Sequence, residues 1–236
     1  MTTATSPPRR RTRRPRAERE AAILEAARAV FAERGYGEAA VAEIAARTGV
    51  VEGTVYSYFP TKRALLVAVM RRFYDDLINE TQSGLEAIRG CESQIRFLIR
   101  RHLEVFTADP GLCRVIIREA RPDVALYDEA VLELNRRYTG LASRVLERGI
   151  ASGELRDDIV PSVIRDLIYG GIEHAVWRFV FTDGRLELGP IADQLADAIL
   201  GGILSRRAAE SREDTMRRLE RAVARLESHI GQAEAE

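Results

Sequence analysis

Cysteine, histidine and long apolar runs are scarce in this chain, and each scarcity excludes a class of protein. The two cysteines, Cys91 and Cys113, lie far apart and fit no metal-ligand spacing. With only three histidines besides, we expect no metal site and no cofactor, and we expect both thiols to be reduced and packed in helices. No apolar run approaches the roughly 20 residues that cross a bilayer, and the polar, arginine-rich N-terminus does not look like a signal peptide. These absences predict a cytoplasmic protein with no membrane partner.

Patterns typical of β-strands are also missing. No run of alternating β-branched residues is long enough to suggest a sheet. Ala, Leu, Arg and Glu dominate, and these residues are strong helix formers. A hydrophobic content of 46% in 236 residues is enough for a sizeable core. The length suits one large domain or two modest ones, and the composition predicts an all-α fold.

The formal net charge is zero, but it is unevenly spread. Residues 1–63 hold 12 Lys and Arg against 7 Asp and Glu, a net of +5, so the remainder carries about −5. A basic end joined to an acidic body fits a protein that touches nucleic-acid phosphates at one end only. Residues 1–16 are rich in Pro and Arg and low in apolar residues, so we expect them to be a disordered basic arm. The arm either reaches DNA phosphates or the minor groove, or is a solvated tail that adds only nonspecific attraction.

The segment from Ile23 to Leu66 has the layout of a helix-turn-helix, which places one short helix in the DNA major groove. A left-handed cap at Gly35 ends the first helix, and a glycine turn at Gly49 separates the second helix from the third. Pro60 stops the third helix, and Thr61 is a plausible N-cap for the fourth. We predict helices over 17–34, 41–48 and 52–58 and a fourth to about Thr81, with the DNA-binding domain spanning 17–62.

The third helix carries the candidate DNA-reading side chains. At about 100° per residue, Val55 and Phe59 lie together and face the core, so the opposite side is left for DNA. Hydroxyls suit base edges and phosphate oxygens, and a lysine at the start of the fourth helix suits a phosphate. Taken singly, these residues could equally be ordinary caps and surface groups. The candidate DNA-binding residues are Glu52, Gly53, Thr54, Tyr56, Ser57, Tyr58 and Lys62, with Arg9, Arg10, Arg11, Arg13 and Arg14 of the arm.

This segment resembles the TetR family of bacterial transcriptional regulators. The resemblance implies an all-α homodimer that binds a palindromic operator in double-stranded DNA through the N-terminal domain and a small-molecule effector through a larger helical domain. Two positions depart from the family pattern: Ala40 and Val51 stand where the family often has Thr and Ser as helix caps. We therefore expect weaker phosphate anchoring there. The matching residues are Ala26, Ala27, Phe31, Gly35, Tyr36, Val41, Ile44, Ala45, Gly49, Val50, Gly53, Thr54, Tyr56, Tyr58, Phe59, Lys62 and Leu65.

From about Ser83 the helices become longer, and we assign residues 63–206 to an effector-binding and dimerisation domain. Helices are predicted over roughly 92–107, 111–119, 123–151, 161–182 and 190 onward. No Gly-rich phosphate loop, HExxH motif or Cys/His cluster is present, so we expect no enzyme. The segments RVIIREAR, ERGIASGELRDDI and GGIEH resemble, more weakly, C-terminal domains of TetR-type regulators of fatty-acid metabolism, which implies an acyl-CoA or other lipid-like effector.

That weaker resemblance places a pocket in the larger domain. His174 has three alternatives: a core or interface histidine, a polar group in the pocket, or a metal ligand. An effector-free protein that recruits a partner protein while bound to DNA is the alternative function, and a domain without a pocket would favour it. The candidate pocket residues are Arg118, Arg121, Tyr169, Glu173, His174 and Trp177.

Residues 207–236 form a predicted amphipathic helix. From Ile191 to Ile230, one spacing of three and four residues continues without a break, and its last five positions form a short apolar seam. Either one long helix pairs in a dimer and continues as a short coiled coil, or a frayed tail packs on its own subunit.

Overall fold

The computed structural model describes residues 15–120, 129–181 and 187–205, with short pieces at 215–217, 219–221 and 223–224. Across these residues the chain is helical, which confirms the all-α prediction; the only β element in the described ranges is one isolated bridge. The helices are α1 (Arg16–Glu38), α2 (Val41–Thr48), α3 (Glu52–Tyr58), α4 (Lys62–Ala87), α5 (Cys91–Ala108), α6 (Pro110–Val115), α7 (Glu129–Ala151), α8 (Pro161–Phe181) and α9 (Leu188–Ile203), and a π-helical turn (Ile116–Ala120) follows α6.

Local sequence signals set the ends of the first four helices. Gly49 ends α2 with φ 68° and ψ 31°, the left-handed cap expected of glycine. The predicted left-handed cap at Gly35 is wrong: Gly35 has φ 78° but an extended ψ of 169°, so it kinks α1, and helical structure continues to Glu38. Thr61 caps α4, since its Oγ1 accepts a hydrogen bond of 3.0 Å from the backbone N of Ala64. The predicted bounds of α2 and α3 agree with the structure. The predicted end of α4 at Thr81 is wrong, because Thr81 and Leu85 are both buried and the helix continues to Ala87.

Helices α1 to α3 and the start of α4 share a small apolar core. Each fully buried apolar side chain contributes about 1.5–3 kcal/mol relative to exposure. On the outside, the guanidinium of Arg47 donates to Glu33 of α1 at 2.8 and 2.6 Å and to Glu43 at 2.6 Å, which fixes α2 against α1. The buried core residues of this domain include Ile23, Ala27, Val30, Phe31, Ile44, Val55, Phe59 and Leu65.

Helix α5 lies at the centre of the larger domain. It packs against α7, α8 and α9, and α4 packs across both domains, contacting α1 at one end and α7 along its length. Cys91 and Cys113 are buried in α5 and α6, which confirms that both are packed in helices, and their thiols are free. Within the described ranges, no helix has both the length and the apolar character that crossing a membrane requires.

A short strap closes the far end of this domain. Leu204 has extended angles (φ −65°, ψ 139°) and forms an antiparallel bridge with the buried Leu155, which follows α7. The backbone N of Arg156 donates to Ile203 O, and that of Ser205 donates to Glu154 O, both at 3.0 Å. One long helix through this point is therefore wrong, because α9 ends at Ile203. Met216, Leu219 and Val223 of the seam are exposed, and Ala209, Arg212, Leu226 and Ile230 lie outside the described residues.

Candidate nucleic-acid interface and effector cavity

The outer face of α3 presents the side chains predicted to contact DNA. Val55 is 1% exposed and Phe59 8%, so these two hold the helix from behind, as predicted. Glu52, Gly53, Tyr56 and Ser57 are exposed, and Thr54 and Tyr58 are half-buried at the edges. A Cβ added at Gly53 would meet nothing within 4 Å, so the face is open there to a phosphate or sugar. The arrangement suits a helix that enters the major groove.

Lys62 is held at the junction of α1 and α4. Its Nζ donates to the carbonyl oxygen of Gly37 at 2.9 Å and lies 4.8 Å from the ring centroid of Tyr36. An ammonium has three donors, so further N–H groups remain for an anion beside the N-terminus of α4. This position favours phosphate anchoring over base contact.

Arg16, the last residue of the predicted basic arm, lies next to α3. Its guanidinium carbon lies 5.2 Å from the ring centroid of Tyr58, within cation–π range. The chain therefore enters α1 beside α3. Arg9, Arg10, Arg11, Arg13 and Arg14 lie outside the described residues, so their DNA contact stays a prediction.

The two departures from the family pattern leave helix ends without side-chain caps. Neither Ala40 before α2 nor Val51 before α3 makes a side-chain cap hydrogen bond. Val51 is 73% exposed and has extended angles (φ −86°, ψ 153°), the conformation of an ordinary N-cap residue. A hydroxyl at this position would meet the first turn of α3.

A cavity of about 370 Å³ lies among α4, α5, α6, the π-helical turn, α7 and α8. Its volume falls in the usual range for small-molecule sites. The apolar part of the wall consists mainly of Phe73, Tyr74, Leu77, Val105, Phe106, Ile116 and Ile117, and polar groups come from His102, Asn135, Arg136, Tyr138, Thr139, Arg165, Asp166, Tyr169 and Glu173.

Three of these polar side chains form one buried aromatic cluster. His102 Nδ1 and the Tyr138 hydroxyl lie 3.0 Å apart and share a hydrogen bond. The ring centroid of Tyr169 is 4.8 Å from that of His102 and 5.6 Å from that of Tyr138. Burial raises the pKa of both phenols, so they stay protonated at neutral pH. Sequence reasoning missed His102 and Tyr138, although each is a polar residue at helical spacing on an otherwise apolar face.

The predicted pocket residues divide between two faces of α8. Tyr169 and Glu173, one turn apart, lie on the cavity wall. His174 and Trp177 do not line the cavity, and both are exposed. Arg118 is likewise exposed and off the wall, in the π-helical turn, and Arg121 lies outside the described residues. The pocket placement of His174, Trp177 and Arg118 is therefore corrected.

One face of α8 carries large apolar side chains that are more than half exposed. Val163, Leu167 and Trp177 are 53%, 58% and 55% exposed. With Gly170 and His174 they follow a spacing of four and three residues, which puts all five on one stripe. An exposed apolar stripe of this kind marks a contact surface.

Helix α6 links the cavity to the DNA-binding domain. At its start, Asp109 Oδ2 accepts a hydrogen bond of 2.7 Å from Arg28 Nε of α1. A Cβ added at Gly111 would lie 2.7 Å from the Cβ and the carbonyl oxygen of Ala32, so the two helices touch backbone to backbone. At its other end, Ile116 and Ile117 lie on the cavity wall. A π-helical turn inside a helix is often found at functional sites.

Comparisons with known proteins match both parts of this architecture. Residues 23–69 match the bacterial regulatory proteins of the tetR family, and residues 90–203 match the tetracyclin repressor-like C-terminal domain. The fatty acid metabolism regulator protein of Bacillus subtilis (strain 168) is 25% identical over 181 residues, which are 77% of this chain and 93% of that protein. The HTH-type transcriptional repressor KstR2 of Rhodococcus jostii (strain RHA1) is 26% identical over 191 residues, covering 79% of this chain and 92% of that protein.

Structural similarity to a solved protein covers the same share of the chain. The crystal structure of the transcriptional regulator FadR from Bacillus subtilis in complex with stearoyl-CoA superposes with a TM-score of 0.71 at 25% identity, covering 77% of this chain and 98% of that chain. The helix-turn-helix and the helical domain behind it are thus matched by sequence and by structure. The chain belongs to the tetR family of bacterial regulatory proteins.

Proposed function

We propose that two copies of this chain repress transcription by binding a two-fold symmetric DNA operator, and that a small hydrophobic effector releases them. The observation that carries the proposal is the continuity of α6 and the π-helical turn. One end forms part of the cavity wall, and the other end packs on α1 of the DNA-binding domain.

Each copy contributes one α3 to the operator. For both to enter successive major grooves, the two helices lie about 34–36 Å apart or a multiple of that distance. Thr54, Tyr56 and Ser57 face the base edges, while Lys62 and the arginines of the arm neutralise phosphates. Because the operator is chromosomal DNA, the working protein is cytoplasmic.

The outward stripe of α8 joins the two copies. Val163, Leu167 and Trp177 would be buried against the same residues of the partner in a two-fold interface, where one patch faces itself. Gly170 in the centre of the stripe lets two helices approach closely. An apolar interface here sets the distance between the two copies of α3.

The cavity favours a hydrophobic effector over the effector-free alternative, which predicted a domain without a pocket. Aromatic and aliphatic side chains form about half of the wall, and the FadR relative binds stearoyl-CoA. These two facts support an acyl-CoA or a similar lipid-like molecule as the effector class. No enzymatic step is part of the proposal, since the relatives are transcriptional regulators.

The effector acts by displacing one end of α6. A ligand packed against Ile116 and Ile117 favours a conformation in which α6 shifts, and Gly111 transmits the shift to Ala32 of α1. The ligand changes the operator equilibrium only as far as it binds the two conformations unequally. Release therefore requires the effector to bind more tightly to the conformation in which the distance between the two copies of α3 does not match the operator.

The test begins with selection of bound duplexes from a random pool, followed by titration of the winning sequence at about 150 mM salt. We expect a two-fold symmetric site that is bound at least tenfold more tightly than its scrambled version, and we expect stearoyl-CoA, but not free coenzyme A, to release it. Leu167→Glu should leave monomers that bind the operator poorly, whereas Leu132→Glu, on exposed α7 surface, should not. No preference for a symmetric duplex would overturn the proposal.

A further inference from the structure

Tyr169 lines the cavity and carries a buried hydroxyl. Tyr169 is 8% exposed, and its hydroxyl oxygen is fully covered. Among the residues that the structure describes, no group hydrogen-bonds to this oxygen. A buried hydroxyl without a partner destabilises the folded protein, so native structures rarely leave one.

The neighbouring polar groups do not serve this hydroxyl. The Tyr138 hydroxyl is engaged with His102 Nδ1 at 3.0 Å. The His102 ring meets the Tyr169 ring edge-on, with the planes at 86°. The contacts of Tyr169 with His102 and Tyr138 are therefore ring against ring, and neither neighbour supplies its hydroxyl with a hydrogen bond.

The hydroxyl is a donor at all physiological pH values, because burial raises the pKa of Tyr169 above its ordinary value of 10.0. A protonated phenol that lacks a hydrogen-bond partner is matched by an oxygen acceptor on a ligand. A plain hydrocarbon ligand would leave the hydroxyl without a partner, whereas an oxygen placed at this point would lose its water but regain a hydrogen bond.

We infer that Tyr169 is a specificity-determining residue for the effector: it donates a hydrogen bond to a carbonyl or hydroxyl oxygen that lies within the otherwise apolar, buried part of that molecule. This inference rests on the proposed function, since it assigns chemistry to the effector of the same cavity. Tyr169 would therefore favour an effector whose hydrophobic part carries a ketone, an alcohol or a buried thioester carbonyl over an effector whose hydrophobic part is pure hydrocarbon.

The experiment uses three bicyclic probes of nearly equal size with the full-length protein. 1-Tetralone carries a carbonyl, 1-tetralol carries a hydroxyl, and tetralin carries neither. Their dissociation constants are measured by calorimetry for the wild type and for Tyr169→Phe. Thr107→Val is the control, since it removes a hydroxyl from a residue of α5 that does not line the cavity.

We expect the preference for an oxygenated probe over tetralin to fall about tenfold in Tyr169→Phe, as expected for the loss of one hydrogen bond, and to stay within twofold of wild type in Thr107→Val. The probe whose affinity falls most identifies the acceptor as a carbonyl or a hydroxyl. An unchanged preference in Tyr169→Phe would overturn the inference.

Thermal unfolding without ligand gives a second measurement. Tyr169→Phe should melt at or above the wild-type temperature, because the hydroxyl it loses has no partner in the ligand-free protein. Tyr138→Phe should melt lower, because it loses the hydrogen bond to His102. A clear loss of stability in Tyr169→Phe would show a partner already present and would refute the inference. If stearoyl-CoA releases the operator but Tyr169→Phe does not change the probe preference, the inference fails and the proposed function stands. If Tyr169→Phe changes the probe preference but the protein binds no operator, the proposed function fails and the assignment of Tyr169 stands.

Discussion

Arg28 and Asp109 form an ion pair that crosses the boundary between the two domains. Arg28 Nε donates to Asp109 Oδ2 at 2.7 Å, while Asp109 Oδ1 caps α6 by accepting from Leu112 N at 2.9 Å. One carboxylate thus holds the start of α6 and attaches it to α1. The side chain of Asp109 is only 12% exposed, so this pair is less screened by solvent than the other ion pairs on the surface.

Asp109→Asn should keep the helix cap but weaken the attachment, because an amide retains an oxygen acceptor and loses the charge. We expect operator release by stearoyl-CoA to need a higher ligand concentration, and a double-mutant cycle with Arg28→Gln to give a coupling of about 1 kcal/mol. Arg156→Gln is the control, since it disrupts the ion pair with Asp158 at the α7–α8 turn. An equal effect of Arg156→Gln on release would contradict the role of the α1–α6 pair.

Gly111→Ala should push α6 away from α1, because the new Cβ would lie 2.7 Å from a backbone oxygen of Ala32. We expect a destabilisation of about 1–3 kcal/mol in urea unfolding and a loss of operator affinity. Gly189→Ala, where an added Cβ meets nothing within 4 Å, should change neither quantity. If Gly111→Ala bound the operator like wild type, the contact between α6 and α1 would not control the DNA-binding domain.

Val51→Ser should stabilise α3 by supplying the missing cap. Val51 already has the extended angles of an N-cap, and its side chain is exposed, so little packing is lost. The expected gain is roughly 0.5–2 kcal/mol in the free energy of unfolding, with tighter operator binding. Val51→Ala separates loss of the valine from gain of the hydroxyl. Equal stability of the Ser and Ala variants would show that the cap does not form.

Lys62→Ala should weaken binding to operator and random duplexes alike, because an ammonium at the junction of α1 and α4 meets phosphates and not bases. The slope of log K against log salt should become shallower by about 0.9 for one lost phosphate contact. Thr54→Ala should keep that slope and reduce the preference for the operator. Uniform weakening by both variants would contradict the separation of phosphate anchors from base contacts.

Cys91 makes the stability fall at alkaline pH. Burial, and then the charge of Glu154, raise the pKa of its thiol from 9.0 to about 12, so the folded protein holds this proton more tightly than the unfolded chain does. The resulting stability is complete below pH 9 and is lost as pH rises toward 12. Cys91→Ala should therefore show a shallower decline of the unfolding free energy between pH 9 and 10.5, by up to roughly 1.4 kcal/mol per pH unit. Identical declines in the two proteins would exclude the thiol as a source.

The DNA-binding half was predicted closely from the sequence because its signals are local. Gly35 and Gly49 take a positive φ, Pro60 restrains the residue before it, and the Thr61 side chain caps α4, whatever packs around them. The inward position of Val55 and Phe59 follows from helical periodicity alone. The bounds of α2 and α3 needed no tertiary information.

The cavity was predicted poorly because its wall depends on packing among five helices that are distant in sequence. His174 and Trp177 attracted attention as unusual residues in an apolar run, yet both are exposed and neither lines the cavity. The inward side carries Tyr169, whose neighbours His102 and Tyr138 lie on other helices. Similarly, the spacing of three and four residues continues past Ser205 although α9 ends at Ile203. A sequence pattern contains no information about the hydrogen bonds that Glu154 and Arg156 make with residues 203 and 205.

The strap between Leu155 and Leu204 fixes the position of the chain just after α9, and therefore the point from which a fused protein would extend. Helix α4 spans 26 residues, about 39 Å, from Lys62 beside α3 to the turn that precedes Cys91, and Glu154 accepts from Cys91 N at 2.8 Å at this remote end. A fluorescent protein fused directly after Ser205 would therefore start on the side of the molecule away from the duplex. Such a fusion should report on the repressor in cells without obstructing the groove, whereas a fusion at Arg16 would crowd Tyr58 and the bases.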